Sequence, residues 1–335
     1  MIELNGYDYK SKLNLIDTEK AIKLSKDKFE QTLAKNLNLL RVTAPLFVLA
    51  NSGLNDDLSG TEVPVSFNVQ TETQPLTIVH SLAKWKRMAI NRYNLSVGSG
   101  LYTDMNAIRK DEVLDNLHSI YVDQWDWEKV INKQDRNLEF LKETVASIYE
   151  AIKSTSSYIC SIYDCLENYF SDKIYFFTSS ELENLYPNLS PKERENKICK
   201  KYGTVFLMQI GGVLKSNNSP HDLRAPDYDD WSLNGDILTY YPPLDCAIEL
   251  SSMGIRVDKD SLIKQLEITK KLEKLKYPYH NMIVSEQLPL TIGGGIGQSR
   301  LCMIMLNKVH IGEVQSSYWD KDTIDYANSR NIKLL

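Results

Sequence analysis

Apolar residues Ile22, Phe29, Leu33 and Leu37 recur at helical spacing after Asp17-Thr18, a pair able to cap a helix. The pattern predicts a helix to about Asn38, lysines outward, preceded by a loosely held N-terminal arm over residues 1–16. Residues 39–48 read as a strand in which Pro45 marks an edge or bulge, because proline cannot donate to a ladder. Residues 63–69 and 76–79 read as strands, and 82–93 as a helix. Two further strands, 101–108 and 117–127, flank the charged loop Arg109-Lys110-Asp111-Glu112. In the second, His118, Ile120, Val122, Gln124 and Asp126 share one face, and Ser119, Tyr121, Asp123, Trp125 and Trp127 the other. Leu138, Leu141, Val145, Ile148 and Ile152 predict one long packing helix within 135–169. Residues 174–178 form a short strand, and Ser180 with Glu183 makes a capping box. Ser190-Pro191-Lys192-Glu193 is a stronger helix start. Residues 204–210 and 234–241 are strands; 245–257 read as strand, small-residue turn, strand; Asp260 caps a helix through Leu272, and a short segment spans 281–286. Finally Leu288, Leu290 and Ile292 lead into glycines 293, 294, 295 and 297, then Gln298-Ser299-Arg300 and an apolar run. That reads as strand, glycine turn, helix.

The chain has 335 residues, 42% hydrophobic and 25% charged, enough for one large domain or two closely joined ones. Its net charge of −5 argues against broad nucleic-acid binding. No basic–apolar–small pattern marks a secretory signal, and no apolar run approaches the roughly 18 residues that span a membrane. Five cysteines without a C-x-x-C predict reduced thiols in a cytoplasmic protein.

The glycine stretch is the first candidate for chemistry. A helix start offers free N–H groups and the positive end of a dipole, which suit an anion. A P-loop would need Gly-Lys-Ser/Thr, and the dinucleotide fingerprint would need glycine where Arg300 stands. What remains is G-x-G-x-x-R: Gly295, Gly297, Arg300. Arg300 cannot help the dipole, so it is aimed at a ligand. Lys84 and Lys86 are likewise unfavourably placed near a helix start unless an anion binds. Asp56 and Asp57, in NSGLNDDLSG, read on composition as solvated turn acids. Arg224 precedes the acids Asp227, Asp229 and Asp230, while Glu249, Ser252 and Arg256 are the polar members of a buried strand region.

The glycine motif resembles the third signature motif of class II aminoacyl-tRNA synthetases. The strand–loop–strand with Arg109 and Glu112 resembles the second, and the long helix followed by a proline-bearing strand resembles the first, which builds that class's dimer interface. From about residue 10 to 335, HSLAKWKR, LHSIYVDQWDWE, RAPDYDDW, LNGDIL, ELSSMGIRVD and TIGGGIGQSRL resemble the aspartate–ammonia ligase family. The resemblance implies an α+β fold with a class II synthetase-like core: a mostly antiparallel mixed sheet of about eight strands flanked by helices. It also implies a single catalytic domain over 1–335, a homodimer, and no nucleic-acid or membrane partner. The implied reaction makes asparagine from aspartate, ATP and ammonia through β-aspartyl-AMP, with Mg²⁺ as cofactor.

The resemblance assigns roles by residue. Arg109 would hold the α-phosphate and Arg300 the β/γ-phosphates or the adenine. Arg224, Asp229, Ser252, Gly295 and Gly297 would complete the nucleotide site. Asp236 and Glu249 would hold Mg²⁺. Ser81, Lys86, Gln124, Asp126 and Arg256 would bind aspartate, with Arg256 clamping the carboxylate that does not react. Asp56 would hold ammonium or accept its proton. One departure is a segment between Ser232 and Leu233 that is shorter than in most of the family. Two alternatives remain: an aspartate- or asparagine-activating tRNA synthetase fragment, and a catalytically silent regulatory subunit. The acidic balance and lack of a basic β-barrel oppose the first; the presence of Arg109, Arg300, Asp236 and Glu249 opposes the second. Glutamine as nitrogen donor would call for a nucleophilic cysteine near the start, where Ile2 stands.

Overall fold

The computed structural model describes residues 1–2, 9–58, 62–214 and 219–335. Helix α1 (Leu15–Leu37) is capped by Asn14, which accepts from the Asp17 N–H, so the cap lies earlier than Asp17-Thr18. It ends on Asn38 in the left-handed conformation, which asparagine tolerates. Residues 3–8 of the expected arm lie outside the described residues. Tyr9 and Leu13 are buried, so the part next to α1 is packed rather than loose. Pro45 falls between two short strands, β1 (Leu39–Arg41) and β2 (Phe47–Leu49). Strands β3 (Ser66–Phe67) and β4 (Leu76–Ile78) join β2 in a small antiparallel sheet.

Helix α2 (Ala83–Tyr93) leads to β5 (Gly100–Ile108) and β6 (Tyr121–Val130). Helix α3 (Leu138–Ile162) stops short of the expected residue 169. Strand β7 (Ile174–Thr178) runs into α4 (Ser179–Leu185), whose capping box is Thr178 with Glu181 rather than Ser180 with Glu183. Helix α5 (Pro191–Tyr202) has the expected Ser190–Glu193 box. Strands β8 (Thr204–Met208), β9 (Asp229–Tyr241) and β10 (Cys246–Arg256) follow. Helix α6 (Lys259–Ile268) is capped by Asp258, not Asp260. The chain closes with α7 (Pro278–Val284), β11 (Thr291–Gly297), α8 (Gln298–Met305) and α9 (Lys321–Ser329).

Eight strands form the main sheet in the order β1-β5-β6-β11-β10-β9-β8-β7. All pairs are antiparallel except β1–β5 and β7–β8 at the two edges. This is the α+β arrangement expected from the sequence. One face carries the main core, where Trp125, Trp127, Phe206, Ile237 and Ile296 pack with residues of α1, α3 and α8, such as Phe29, Ile148 and Met303. On the opposite face α2 covers β5 and β6, and α5 covers β8 to β10. The middle strands between them carry polar side chains.

Two readings of the strands change. Residues 246–256 form one strand with an irregularity between Glu249 and Ser251, not two strands around a turn. The bulge reverses the alternation. Ala247 and Glu249 before it, and Ser252, Gly254 and Arg256 after it, therefore share the polar face. The glycine stretch is itself strand β11, and none of its glycines has positive φ. Helix α8 begins directly where that strand ends. At the shortened segment, β9 bulges: Asp229 pairs with Arg256 and Asn234 with Gly254, so residues 230–233 arch out of the ladder. Trp231, in the bulge, lies against Gly211, where a Cβ would meet the indole at 2.5 Å.

Candidate active site

Strand register brings the site together. Asp236 on β9 pairs with Ser252 on β10, Ser252 with Gly295 on β11, and Gly295 with Asp126 on β6. Paired residues face the same way, so this row lies across the polar face. From Ser252 to Asp126 it floors a cleft of about 350 Å³, which Asp56, Ser81, Arg109, Arg224 and Arg300 also line.

The glycines are explained by what stands over them. A Cβ on Gly293 would lie 2.0 Å from Glu128 Oε2 and 2.6 Å from Arg256 Nη2. One on Gly295 would lie 2.6 Å from both Asp126 Oδ1 and Gln124 Oε1. One on Gly254 would lie 2.9 Å from Asp229 Oδ1. The bare strands seat a buried charge cluster. Arg256 donates through Nε (3.0 Å) and Nη2 (2.7 Å) to Glu128 and through Nη1 to Asp229. Thr291 Oγ1 donates to Glu128 at 2.6 Å. Burial works against the Glu128 charge, but Arg256 outweighs it and holds the carboxyl below its ordinary value. The family resemblance assigned Arg256 to a substrate carboxylate and Asp229 to the nucleotide. Both line the cleft, yet much of the Arg256 fork is engaged by Glu128 and Asp229, leaving one N–H on each terminal nitrogen.

At the other end of the cleft stand three arginines. Arg109 Nη2 reaches His80 O at 3.4 Å, and its buried Nε has no hydrogen-bond partner among the described residues. Arg300 donates to Glu249 O at 3.1 Å and Leu117 O at 3.4 Å. Arg224 donates to Ser252 Oγ at 2.7 Å and pairs with Asp236 and Asp222, and its buried Nε has no partner among the described residues. Burial raises the Asp236 carboxyl, Glu249 adds to the rise, and Arg224 opposes it. Asp236 Oδ1 is buried without a hydrogen-bond partner among the described residues. Such hard oxygens fit a divalent cation, whose charge would relieve that repulsion. No group of three or more His, Cys, Asp or Glu side chains able to hold a metal occurs among the described residues.

The start of α8 differs from expectation. Its Ser299 N–H donates to Asp123 Oδ1 at 3.1 Å, and Gln315 Nε2 binds both Asp123 and Ser299. That helix end is capped by a carboxylate from β6, so Arg300 carries the positive charge instead.

On the remaining side Asp56 is buried, not a solvated turn acid. Its Oδ2 accepts from Ser81 Oγ at 2.8 Å and its Oδ1 from the Leu58 N–H at 2.9 Å. Lys86 donates to Gly294 O at 2.8 Å and pairs with Asp126 at 3.3 Å. Burial lowers its ammonium below the ordinary value, with Asp126 opposing. Asp126 Oδ2 also accepts from the Leu82 N–H, the residue before α2. Lys84 points away, onto Asp227.

Thus every residue to which the resemblance gave a role lines the cleft except Asp236, which stands one bond behind it on Arg224. Sequence reasoning gave no role to Tyr228, Asp123 or Gln315 in the same walls, or to Glu128 buried behind them on Arg256. Glu128 follows Asp126 by two along β6, so the alternation that found Gln124 and Asp126 could have found it. Gln315 lies in an irregular stretch with no motif, and only the fold brings it to Asp123.

The main sheet is similar to that of asparaginyl-tRNA synthetase from Pyrococcus horikoshii, solved with asparaginyl-adenylate. That likeness has a TM-score of 0.65 at 13% identity and covers 89% of this chain and 68% of that one. An aspartyl-tRNA synthetase from Entamoeba histolytica gives 0.60 at 14% identity, over 91% and 58%. At these identities the likeness concerns the fold. Sequence relatives reach much further. A protein of Clostridium perfringens named aspartate–ammonia ligase is 60% identical over 329 residues, 98% of each chain. One of the same name from Fusobacterium nucleatum is 57% identical over 327 residues, 98% of this chain and 99% of that one. The family model described as aspartate-ammonia ligase matches residues 16–331. With agreement along nearly its whole length, this chain belongs to the aspartate–ammonia ligase family.

Proposed function

We propose that the chain, acting as one catalytic unit, converts aspartate, ATP and ammonia to asparagine by adenylating the side-chain carboxylate. The observation that carries this reading is the pair of buried guanidinium nitrogens, Arg109 Nε and Arg224 Nε, that have no partner among the described residues, in the cleft that Arg300 also lines. Buried donors without partners call for an anion. A carboxylate does not react with ammonia directly, because oxide is a poor leaving group. An oxygen of the β-carboxylate attacks the α-phosphorus and pyrophosphate leaves. Arg109 neutralises the α-phosphate, and Arg300 holds the nucleotide beyond it. Ammonia then attacks the carbonyl carbon of the mixed anhydride and AMP leaves with the bonding electrons. Asp56 accepts the proton that the attacking nitrogen sheds.

Substrate aspartate lies over Gly295. Gln124 and Asp126 take its α-amino group, Ser81 and Lys86 complete that wall, and the remaining Arg256 N–H groups meet the α-carboxylate. Ser252, Asp229 and Gly297 border the nucleotide. Asp236 and Glu249 would hold a Mg²⁺ ion, which neutralises triphosphate charge when bound. Exposed Leu40, Leu46 and Phe47 around β1 and β2 offer an apolar surface for a second copy. Among the described residues no helix is long and apolar enough to cross a membrane.

Incubation with aspartate, ATP, Mg²⁺ and ammonium should yield asparagine and AMP; ADP as product, or no need for ammonium, contradicts the reading. Asp56→Asn should form adenylate normally yet capture ammonia roughly 100-fold more slowly; unchanged capture removes Asp56 from its role. Gly295→Ala places a methyl against Gln124 and Asp126, so KM for aspartate should rise about tenfold or more. A KM equal to that of the parent would show that aspartate lies elsewhere.

A further inference from the structure

The loop that carries Asp56 is fastened from behind the cleft by charges that take no part in the chemistry above. Asp227 is fully buried. Its Oδ2 accepts from Lys84 of α2 at 3.0 Å and from Lys274 at 2.8 Å, and it meets His280 Nε2 of α7 at 2.8 Å. Burial raises that carboxyl, but Lys84, His280 and Lys274 together hold it well below its ordinary value. Lys274, in the short helical turn Leu272–Lys276, also pairs with Asp57, the neighbour of Asp56. At its other end the loop turns through Gly53 with φ of +75°. A Cβ there would lie 2.8 Å from Tyr277 Cβ and 3.0 Å from His280 Nδ1. The stretch from Lys274 to His280 therefore grips the Asp56 loop at both ends.

We propose that Lys274 is a positioning residue for ammonia capture. It bridges Asp227 to Asp57 and so fixes Asp56 where the incoming nitrogen must lose its proton. This inference rests on the adenylation reading and on the role of Asp56 in it. The bridge has little to do with holding the fold together. Asp57 is 41% exposed, so its pair with Lys274 is screened by water. Without Lys274, Asp227 keeps Lys84 and His280, and its buried charge stays compensated. Placement is another matter, since a shift of about 1 Å in a reacting group costs on the order of 100-fold in rate. Arg300 and Asp126 are held by contacts outside this loop, and Arg109 touches only the backbone carbonyl of His80 among the described residues, so adenylation has little need of the bridge.

The test uses the full chain with Lys274→Met, Asp57→Asn and the double variant. Aspartate-dependent exchange of pyrophosphate into ATP, without ammonium, reads adenylation. Asparagine formation against ammonium concentration reads capture. Each single variant should lose about tenfold or more in kcat/KM for ammonium while exchange changes less than about threefold. The double variant should be no worse than the poorer single one, because both remove the same bridge. Lys274→Arg should restore capture. Exchange and capture falling together, capture unchanged, or additive losses would each overturn the proposal. Asp57→Asn leaves Lys274 on Asp227 and keeps the test open if Lys274→Met fails to fold. A parent protein with no exchange at all would instead overturn the adenylation reading, and the proposal with it.

Discussion

Arg256→Ala should destabilise the protein by about 3–5 kcal/mol, the cost of leaving a buried charge unpaired. Glu128 and Asp229 are its partners, at 0% and 6% side-chain exposure against 2% for the arginine itself. Denaturant unfolding would read the loss. Its pH dependence is diagnostic. In the parent, Arg256 holds the Glu128 carboxyl below its ordinary 4.5. The stability from that pair is therefore complete above about pH 4.5 and is lost as pH falls through the depressed folded value. In Arg256→Ala the burial of Glu128 is no longer opposed by the arginine, and its carboxyl should rise above the unfolded value. The deficit should then shrink on acidification instead of growing. A loss under about 1 kcal/mol would mean that the cluster is wetter than its burial indicates. Arg256→Lys should recover little, because one ammonium cannot serve both acids as the fork does.

Arg109→Ala and Arg300→Ala should each lower adenylate formation by roughly 100- to 1,000-fold, the range for removing one preorganised charge at a developing anion. Their effect on stability should be small. Among the described residues Arg109 makes one long hydrogen bond and leaves a buried nitrogen without a partner, so its removal deletes an unmet requirement along with the side chain. Pyrophosphate exchange together with a thermal melt separates the two effects. Exchange at the parent rate in either variant would remove that arginine from the phosphate site.

How much of this was legible in the sequence depended on where the cause of each feature lies. The long helices and the β6 alternation come from local periodicity, so they emerged with few errors beyond their ends. The residues of the β5–β6 loop and of the HSLAKWKR stretch were placed by motif, and the fold brings them to one cleft. The glycine stretch was misread in shape, because glycine signals a turn when its surroundings are unknown. Here three of the four glycines are required by a side chain from another strand: Glu128 over Gly293, Met253 beside Gly294, Asp126 and Gln124 over Gly295. No local rule contains that. The β10 bulge was missed for a similar reason. Its strand alternates on either side of the bulge, and only the ladder shows that the parity reverses. The engagement of Arg256 was hidden because spacing identifies an arginine but not the acids that reach it. The Asp57–Lys274–Asp227 bridge spans more than two hundred residues, and each member alone reads as a solvated charge.

The central claim is that the side-chain carboxylate of aspartate attacks the α-phosphorus, and the bond this makes can be traced. Aspartate carrying ¹⁸O in its β-carboxylate should pass one labelled oxygen to the phosphate of AMP as asparagine forms. Label appearing in inorganic phosphate, with ADP as the nucleotide product, would contradict the account.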